Sequence, residues 1–326
     1  MSKKICITGG GGFIGAHLVK KLVNMGHRVV VLDSLVRGSN SRLSEVVNEI
    51  EIQNIDIRDE SKVIQYTKGC DLIIHLAAVN GTENFYNHPE LVLDVGIRSM
   101  LSIVNACRKN NIYDLIVASS AEVYQTPSKI PTDESIALYL PDSINPRYSY
   151  GGSKIASELI AFNYGIEHFN KLQIFRPHNV YGPDMGWKHV IPQFIERAIK
   201  VSNSSNNDFP IQGTGVETRA FCYVDDIIDG IIKMYEKGSH REIYHIGNDD
   251  EISIKTLIEM IGEELKVDLN IVTSPIQEGG TLRRCPNINK MKEIGYQPKY
   301  PLTKGLKITT DWYLQNIDSK PKNHLM

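Results

Sequence analysis

A chain of 326 residues, 41% of them hydrophobic, has enough material for one large core with a smaller unit beside it. Its formal net charge of −2, spread without a long basic or acidic block, offers no electrostatic footprint for nucleic acid or an anionic membrane. No apolar run approaches the roughly eighteen residues of a membrane span, and strand-forming sequence begins just after Met1, so neither span nor signal peptide is expected and the location should be cytoplasmic.

The first predicted strand, KICIT, runs directly into GGGGFIG and then the amphipathic segment AHLVKKLVNMG. Strand, glycine turn and helix in this order make a phosphate cradle: glycines let main chain approach a pyrophosphate at the positive end of the helix. Gly9, Gly12 and Gly15 fit G-x-x-G-x-x-G, while Gly10, Gly12 and Gly15 fit G-x-G-x-x-G, so the register is open. The next strand, HRVVVLD, ends in Asp33, where a dinucleotide fold places the carboxylate that receives ribose hydroxyls. A carboxylate there repels a 2′-phosphate, so NAD is expected rather than NADP; Arg37, four residues on, is the cation within reach of such a phosphate.

Further along, EIQNID, DLIIHLAA, DLIVASS, LQIFRP and EIYHIG read as strands, with helices RSMLSIVNACRKN and SKIASELIAFNYGIEHF between them. The alternation predicts an α/β fold with a doubly wound parallel sheet of Rossmann type. We expect residues 1–178 to form it, with 211–250 returning to it, residues 179–210 and 251–315 to form a smaller α/β substrate lobe, and 316–326 to be a tail. The polar run SNSSNND reads as a surface excursion. The proline-rich segment 125–146 is long for a compact domain and is expected to be ordered and functional. Cys6, Cys70, Cys107, Cys222 and Cys285 are scattered, with neither C-x-x-C nor histidines at ligand spacing, and read as buried thiols; no metal is expected.

Tyr150 and Lys154 stand four residues apart on a predicted helix, and so on one face. An ammonium held near a phenol favours the phenolate, and such a pair can take a proton from an alcohol near neutrality.

Together TGGGGFIG, Asp33, DIRD at 56–59, HLAA at 75–78, SSAEVY at 119–124, YGGSK at 150–154, RPHNVYGP at 176–183 and TRAFCYVDD at 218–226 resemble the extended short-chain dehydrogenase/reductase family of nucleotide-sugar epimerases and dehydratases. The similarity runs over residues 3–315. It implies that Gly9, Gly12, Phe13, Ile14 and Gly15 form the pyrophosphate turn, that Asp33 holds the ribose, and that Asp56 and Ile57 contact the adenine. Leu76, Ala77 and Ala78 would line the nicotinamide ribose. Ser120 would be the catalytic hydroxyl, Tyr150 the base, and Lys154 its partner and a ligand of the nicotinamide ribose. Asn179 and Arg219 would grip a nucleoside-diphosphate sugar, joined by Arg283 or Arg284. A surface ion pair to Asp225 or Asp226 is the alternative for Arg219. A homodimer through paired helices is also implied.

The fate of the ketone formed at C4 of the sugar decides the reaction. A 4-epimerase needs only Ser120, Tyr150, Lys154 and room for the ketose to turn over. Glu122, expected on the same side of an extended segment as Ser120, resembles the glutamate that dehydratases and UDP-glucuronate decarboxylases carry in S/T-x-E-V/L-Y. Ala121, however, stands where many 4,6-dehydratases have Asp and decarboxylases Ser, and the alternative for Glu122 is a solvated or capping role. The readings are a 4-epimerase, favoured; a 4,6-dehydratase or decarboxylase using Glu122; and a non-catalytic NAD-sensing protein, disfavoured by the intact Ser120, Tyr150 and Lys154.

Overall fold

The structure, a computed structural model, describes residues 2–36, 38–204, 206–275 and 281–320. Seven parallel strands form its large sheet: β1 (Lys4–Thr8), β2 (Arg28–Asp33), β3 (Ile50–Asn54), β4 (Leu72–His75), β5 (Asp114–Ala118), β6 (Lys171–Pro177) and, after four short strands, β11 (Glu242–Ile246). Their spatial order is β11-β6-β5-β4-β1-β2-β3. Each of the seven apolar runs read from the sequence supplies one of them. The inner strands are near-continuous hydrophobic runs because a parallel sheet wound on both faces hides both their sides, whereas the edge strand β3, IEIQN, is only half-buried. Alternate residues enter two cores: Ile5, Ile7, Val29, Val31 and Ile116 on one face, and Cys6, Val30, Leu32, Leu115 and Val117 on the other.

The first core lies under α1 (Phe13–Asn24) and α7 (Val224–Lys237). The second lies under α2 (Glu60–Tyr66), α4 (Pro89–Asn110) and α5 (Ser149–Tyr164), with a short α3 (Thr82–Asn87) before α4. Two of these helices depart from their predicted bounds. α4 begins nine residues before Arg98, with Pro89 in its first turn; its early buried positions include Gly96 and Ser99, which carry no hydrophobic signal. α5 begins at Ser149 and stops at Tyr164, where Gly165 leaves room for Phe169 to fold back.

The short strands gather beyond the carboxyl edge of the sheet: β7 (Val180–Tyr181) pairs with β10 (Cys222–Tyr223), β8 (Asp208–Gln212) with β13 (Asn270–Ser274), and β9 (Thr218–Ala220) lies between β12 (Glu251–Ser253) and β14 (Arg283–Arg284). Around them pack α6 (Val190–Ser202), α8 (Ile254–Leu265), α9 (Asn289–Glu293) and α10 (Leu302–Gln315). Of the 211–250 stretch, α7 and β11 lie on the large sheet, while residues 211–223 belong to the short-strand region. Ser205 of the polar run and residues 321–326 of the tail lie outside the described residues. The five cysteines are buried and free. Among the described residues no side-chain cluster could hold a metal ion, and no helix is long and apolar enough to cross a membrane.

The glycine turn settles its own register. Gly9 leaves β1 at φ 72°, in the left-handed region, Gly12 caps α1, and a side chain on Gly15 would stand 2.1 Å from the Gly9 carbonyl oxygen. Gly9, Gly12 and Gly15 are therefore the frame. Because the obstacle is backbone, Gly15→Ala should destabilise the fold by about 1–3 kcal/mol, as overpacking typically does. The measurement is the urea denaturation midpoint, and an unchanged midpoint would contradict this packing.

Candidate active site

Every candidate residue on the sheet lies at or just past a strand's carboxyl end, the edge where open α/β sheets bind ligands. At β1 the turn presses on β4's exit: a Cβ at Gly9 would meet the Ala77 nitrogen at 2.8 Å, and the Ala77 amide donates to Thr8 Oγ1 at 3.3 Å. Leu76 and Ala77 thus wall the turn, while Ala78 packs beside Phe85, Val92 and Tyr150. The first amide groups of α1, from Phe13, Ile14 and Gly15, precede the first in-helix hydrogen bond, from Ala16 to Gly12, and point toward the cradle. Asp33 ends β2 buried, its oxygens accepting from the amides of Gly11 at 2.9 Å and Leu35 at 2.8 Å. Past β3, Ile57 is buried, whereas Asp56 is exposed and clasped by Arg58, which holds its carboxyl below the usual range. A glycine cradle that any side chain would fill, a helix N-terminus and a fixed carboxylate fit a dinucleotide. Arg37 lies outside the described residues.

The second half of the site is built on α5. A side chain on Gly151 would stand 2.8 Å from the Glu122 carbonyl oxygen, so this glycine lets α5 lie directly on the turn that follows β5. That contact brings Tyr150 beside the segment carrying Ser120. Tyr150 is buried and stacks on Phe85, ring centres 5.0 Å apart and planes 12° apart. Lys154 Nζ lies 5.7 Å from the Tyr150 ring centre and donates to the Ala118 carbonyl at 2.7 Å. Burial pulls the Lys154 ammonium down to about 8, against the lifting charge of Glu158. Nearby His75 is pulled down to about 3 by burial and by Lys154, and is therefore neutral.

Glu122 does not lie on an extended segment. Ser120 Oγ accepts the Glu122 amide at 3.1 Å and caps a 3-10 turn over Ala121–Val123, so the strand alternation that was to place both side chains together ends at Ser120. The serine is the cap, and the half-buried Glu122 is instead paired: Arg284 Nη1 donates to its Oε1 at 2.6 Å. Burial pushes the Glu122 carboxyl up, but Arg284, Arg147 and Arg219 outweigh it and hold the group ionised, below the usual range.

The arginine doublet divides because β14 is extended and sends neighbours to opposite faces. Arg284 meets Glu122, while Arg283 turns outward into a fork on Glu251, at 2.8 and 2.7 Å. Arg219 forms no pair with Asp225 or Asp226: Asp225 meets His17 at 3.3 Å, and Asp226 accepts the amides of Lys299 and Tyr300. Its guanidinium instead donates to the carbonyls of Thr218 and Thr281, and burial with Arg284 nearby brings it down to about 10. Asn179, at φ 38°, spends its amide on the Ala220 carbonyl at 2.9 Å and so ties β6's exit to β9. The 125–146 segment is ordered by main-chain bonds of Thr132 to Cys285 and Asn287 and of Tyr139 to Val123.

Four residues received no role in the sequence reading, although Arg176 and His178 lie in its RPHNVYGP motif. Glu158 and Arg176 form a buried pair, with Arg176 Nε and Nη2 at 2.8 and 2.6 Å from the two carboxylate oxygens; helical spacing of Glu158 from Lys154 was the available signal. His178 is buried with neither ring nitrogen hydrogen-bonded among the described residues, and burial keeps it neutral. Arg147 has a buried Nε in the same condition, and nothing in its surrounding sequence marks it.

The family model for the NAD dependent epimerase/dehydratase family matches residues 5–247. A putative UDP-glucose 4-epimerase from Methanocaldococcus jannaschii is 31% identical, the match covering 96% of this chain and 99% of that protein. A UDP-N-acetyl-alpha-D-glucosaminuronate decarboxylase from Bacillus cytotoxicus is 29% identical over 96% of this chain and 98% of its own length. Among solved structures, a dTDP-glucose 4,6-dehydratase from Streptomyces venezuelae with NAD bound superposes with a TM-score of 0.87 at 26% identity, covering 97% of this chain and 98% of that one. Fold, glycine cradle and family model agree: the chain belongs to the NAD dependent epimerase/dehydratase family and is a nucleotide-sugar enzyme whose cofactor is NAD.

Proposed function

We propose that the protein is a nucleotide-sugar 4-epimerase, which oxidises C4 of a nucleoside-diphosphate sugar to a ketone and reduces it again from the other face. The observation that carries this reading is the state of Glu122. It is already ionised and paired to Arg284, and its neighbour is Ala121, so the turn beyond Ser120 holds no proton donor for expelling a hydroxyl.

Bound NAD, held by Gly9, Gly12, Phe13, Ile14, Gly15 and Asp33, with Asp56 and Ile57 at its adenine and Leu76, Ala77, Ala78 and Lys154 at its nicotinamide ribose, supplies the hydride acceptor and donor. Tyr150 takes the proton of the C4 hydroxyl as the carbonyl forms and gives it back on reduction. Ser120 hydrogen-bonds the developing carbonyl oxygen. Lys154 lowers the cost of the phenolate. Arg219 and Arg284 face the diphosphate with a cationic pair that lacks enough carboxylate to balance it, and this remote grip offsets the entropy of holding C4 in place. Arg283, closed on Glu251, drops out of the substrate set. In this reading residues 1–178, with α7 and β11, serve the cofactor and the short-strand region serves the sugar. Exposed Leu93, Leu159 and Tyr164 on α4 and α5 support a homodimer.

A decarboxylase is the second reading, and Arg147 favours it. A buried guanidinium nitrogen with no hydrogen-bond partner among the described residues, acting with Arg219 and Arg284 on Glu122, suits a sugar carboxylate, and a uronate oxidised at C4 loses carbon dioxide readily. Incubation with UDP-, GDP-, CDP- and dTDP-sugars, uronates included, separates the readings by product mass: an isomer for the epimerase, loss of carbon dioxide for the decarboxylase, loss of water for a dehydratase.

Three outcomes are expected. Asp33→Ala should weaken NAD and relax its preference over NADP, measured by equilibrium binding of both; tighter binding of NADP by the unaltered protein would contradict the ribose assignment. Tyr150→Phe should lower turnover by ~10²–10⁴-fold with NAD retained, and near-full activity would remove Tyr150 as the base. Glu122→Gln should change the rate only modestly, with no NADH building up at 340 nm and no solvent deuterium entering C5. A stalled variant together with deuterium at C5 would transfer the assignment to elimination.

A further inference from the structure

Tyr150, Lys154 and Glu158 are spaced i, i+4, i+8 on α5 and form one buried row, 8%, 5% and 4% exposed. The row faces the ends of β5 and β6. Glu158 accepts a fork from Arg176 on β6, and it also accepts the Ser119 hydroxyl, from the residue before Ser120. Arg176 continues to the Tyr124 hydroxyl, and that oxygen lies 2.7 Å from His245 Nε2 on β11. Few charged or titratable groups surround Lys154. From α5 it has Tyr150 and Glu158. From β5 it has the Ala118 carbonyl, and Ser119 lies just beyond. From β6 it has Arg176, spent on Glu158. From β4 it has His75, neutral and bonded to Thr8 Oγ1 at 2.8 Å, with Ser99 of α4 at 3.4 Å from its other nitrogen. Glu158 is the anion of this set.

We propose that Glu158 is a positioning residue of the reaction, keeping Lys154 an ammonium ion beneath Tyr150 while its contact with Ser119 fixes the strand end that presents Ser120. The proposal rests on the reading of Tyr150 and Lys154 as the proton-transfer pair. A buried ammonium with one carbonyl partner is costly to keep charged. Burial alone drives Lys154 toward deprotonation at neutral pH, and the opposing influence on it is Glu158. A neutral Lys154 would no longer stabilise a phenolate at Tyr150. Arg176 completes the device by holding the carboxylate aimed through a two-point fork.

The test reads Lys154 directly, without a substrate. In NAD-loaded protein carrying lysine labelled with carbon-13 at Cε, the Lys154 resonance, assigned by its absence in Lys154→Arg, is followed against pH. With Glu158→Gln, which keeps an oxygen for Arg176 but removes the charge, the Lys154 titration should move to lower pH by about one unit, the effect of losing a nearby opposite charge. At a pH one unit below the unaltered midpoint, the neutral fraction should then rise from about one in ten to about one half. Glu158→Asp, which keeps the charge but withdraws it by one methylene, should move the titration less in the same direction, and it serves alone if Glu158→Gln does not fold. A Lys154 titration that stays in place in these variants overturns the proposal, as does movement toward higher pH. An active Tyr150→Phe would instead sink the proton-transfer reading, so the two failures are told apart.

Discussion

The ion pair between Glu158 and Arg176 is the contact on which the carboxyl edge of the sheet depends. Arg176 is 2% exposed, and removing one member of such a pair leaves an uncompensated buried charge at a cost of about 3–5 kcal/mol. It fastens α5 to β6 and, through Ser119, to β5; through Tyr124 and His245 it reaches β11. Three strand ends and the helix that carries Tyr150 and Lys154 are thus held in one network, and catalytic geometry of this kind tolerates only small errors in position. Gly151 supplies the other condition, the close approach of α5 to the Glu122 backbone.

Across from this rigid floor stands a surplus of positive charge. Arg147, Arg219 and Arg284 all act on Glu122, and Glu217 and Glu251 act on Arg219 besides. Arg219 satisfies its donors on carbonyls, which neutralise nothing, and Arg147 has a buried nitrogen with no protein acceptor among the described residues. Such an arrangement is costly in the free protein and favourable once an anion arrives. A diphosphate ester, with its two negative charges, would relieve that cost under the proposed function.

Much of this was legible in the sequence because it obeys local rules. Buried parallel strands must be apolar and a tight strand-to-helix turn must be glycine; β1, β2, Gly9 and Gly15 obey these, and Asp33 closes the second strand where the sequence put it. Tyr150 and Lys154 were legible from helical spacing. Features that depend on through-space partners were not. The fate of Glu122 depends on Arg284, 162 positions away, and on a Ser120 cap that replaces strand with turn. Arg283 and Arg284 are chemically identical and are separated only by the alternation of a two-residue strand whose existence rests on pairing with β9.

The same distinction bears on why one scaffold serves several reactions. In the proposed function, the residues that move hydride and proton, and the Glu158–Arg176 network beneath them, are set by the sheet and α5. The residues to which that reading gives the fate of the ketone come from elsewhere: Glu122 from a capped turn, Arg147 from the segment before α5, and Arg284 from a short edge strand. These elements touch the sugar side of the site without supporting the sheet, so a change at Ala121 or Arg147 can redirect the intermediate while the oxidising half stays intact. That separation explains how an epimerase, a decarboxylase and a dehydratase can each resemble this chain over nearly its whole length. Under the proposed function, specificity would then lie in the three arginines and Glu122 rather than in Tyr150 or Lys154.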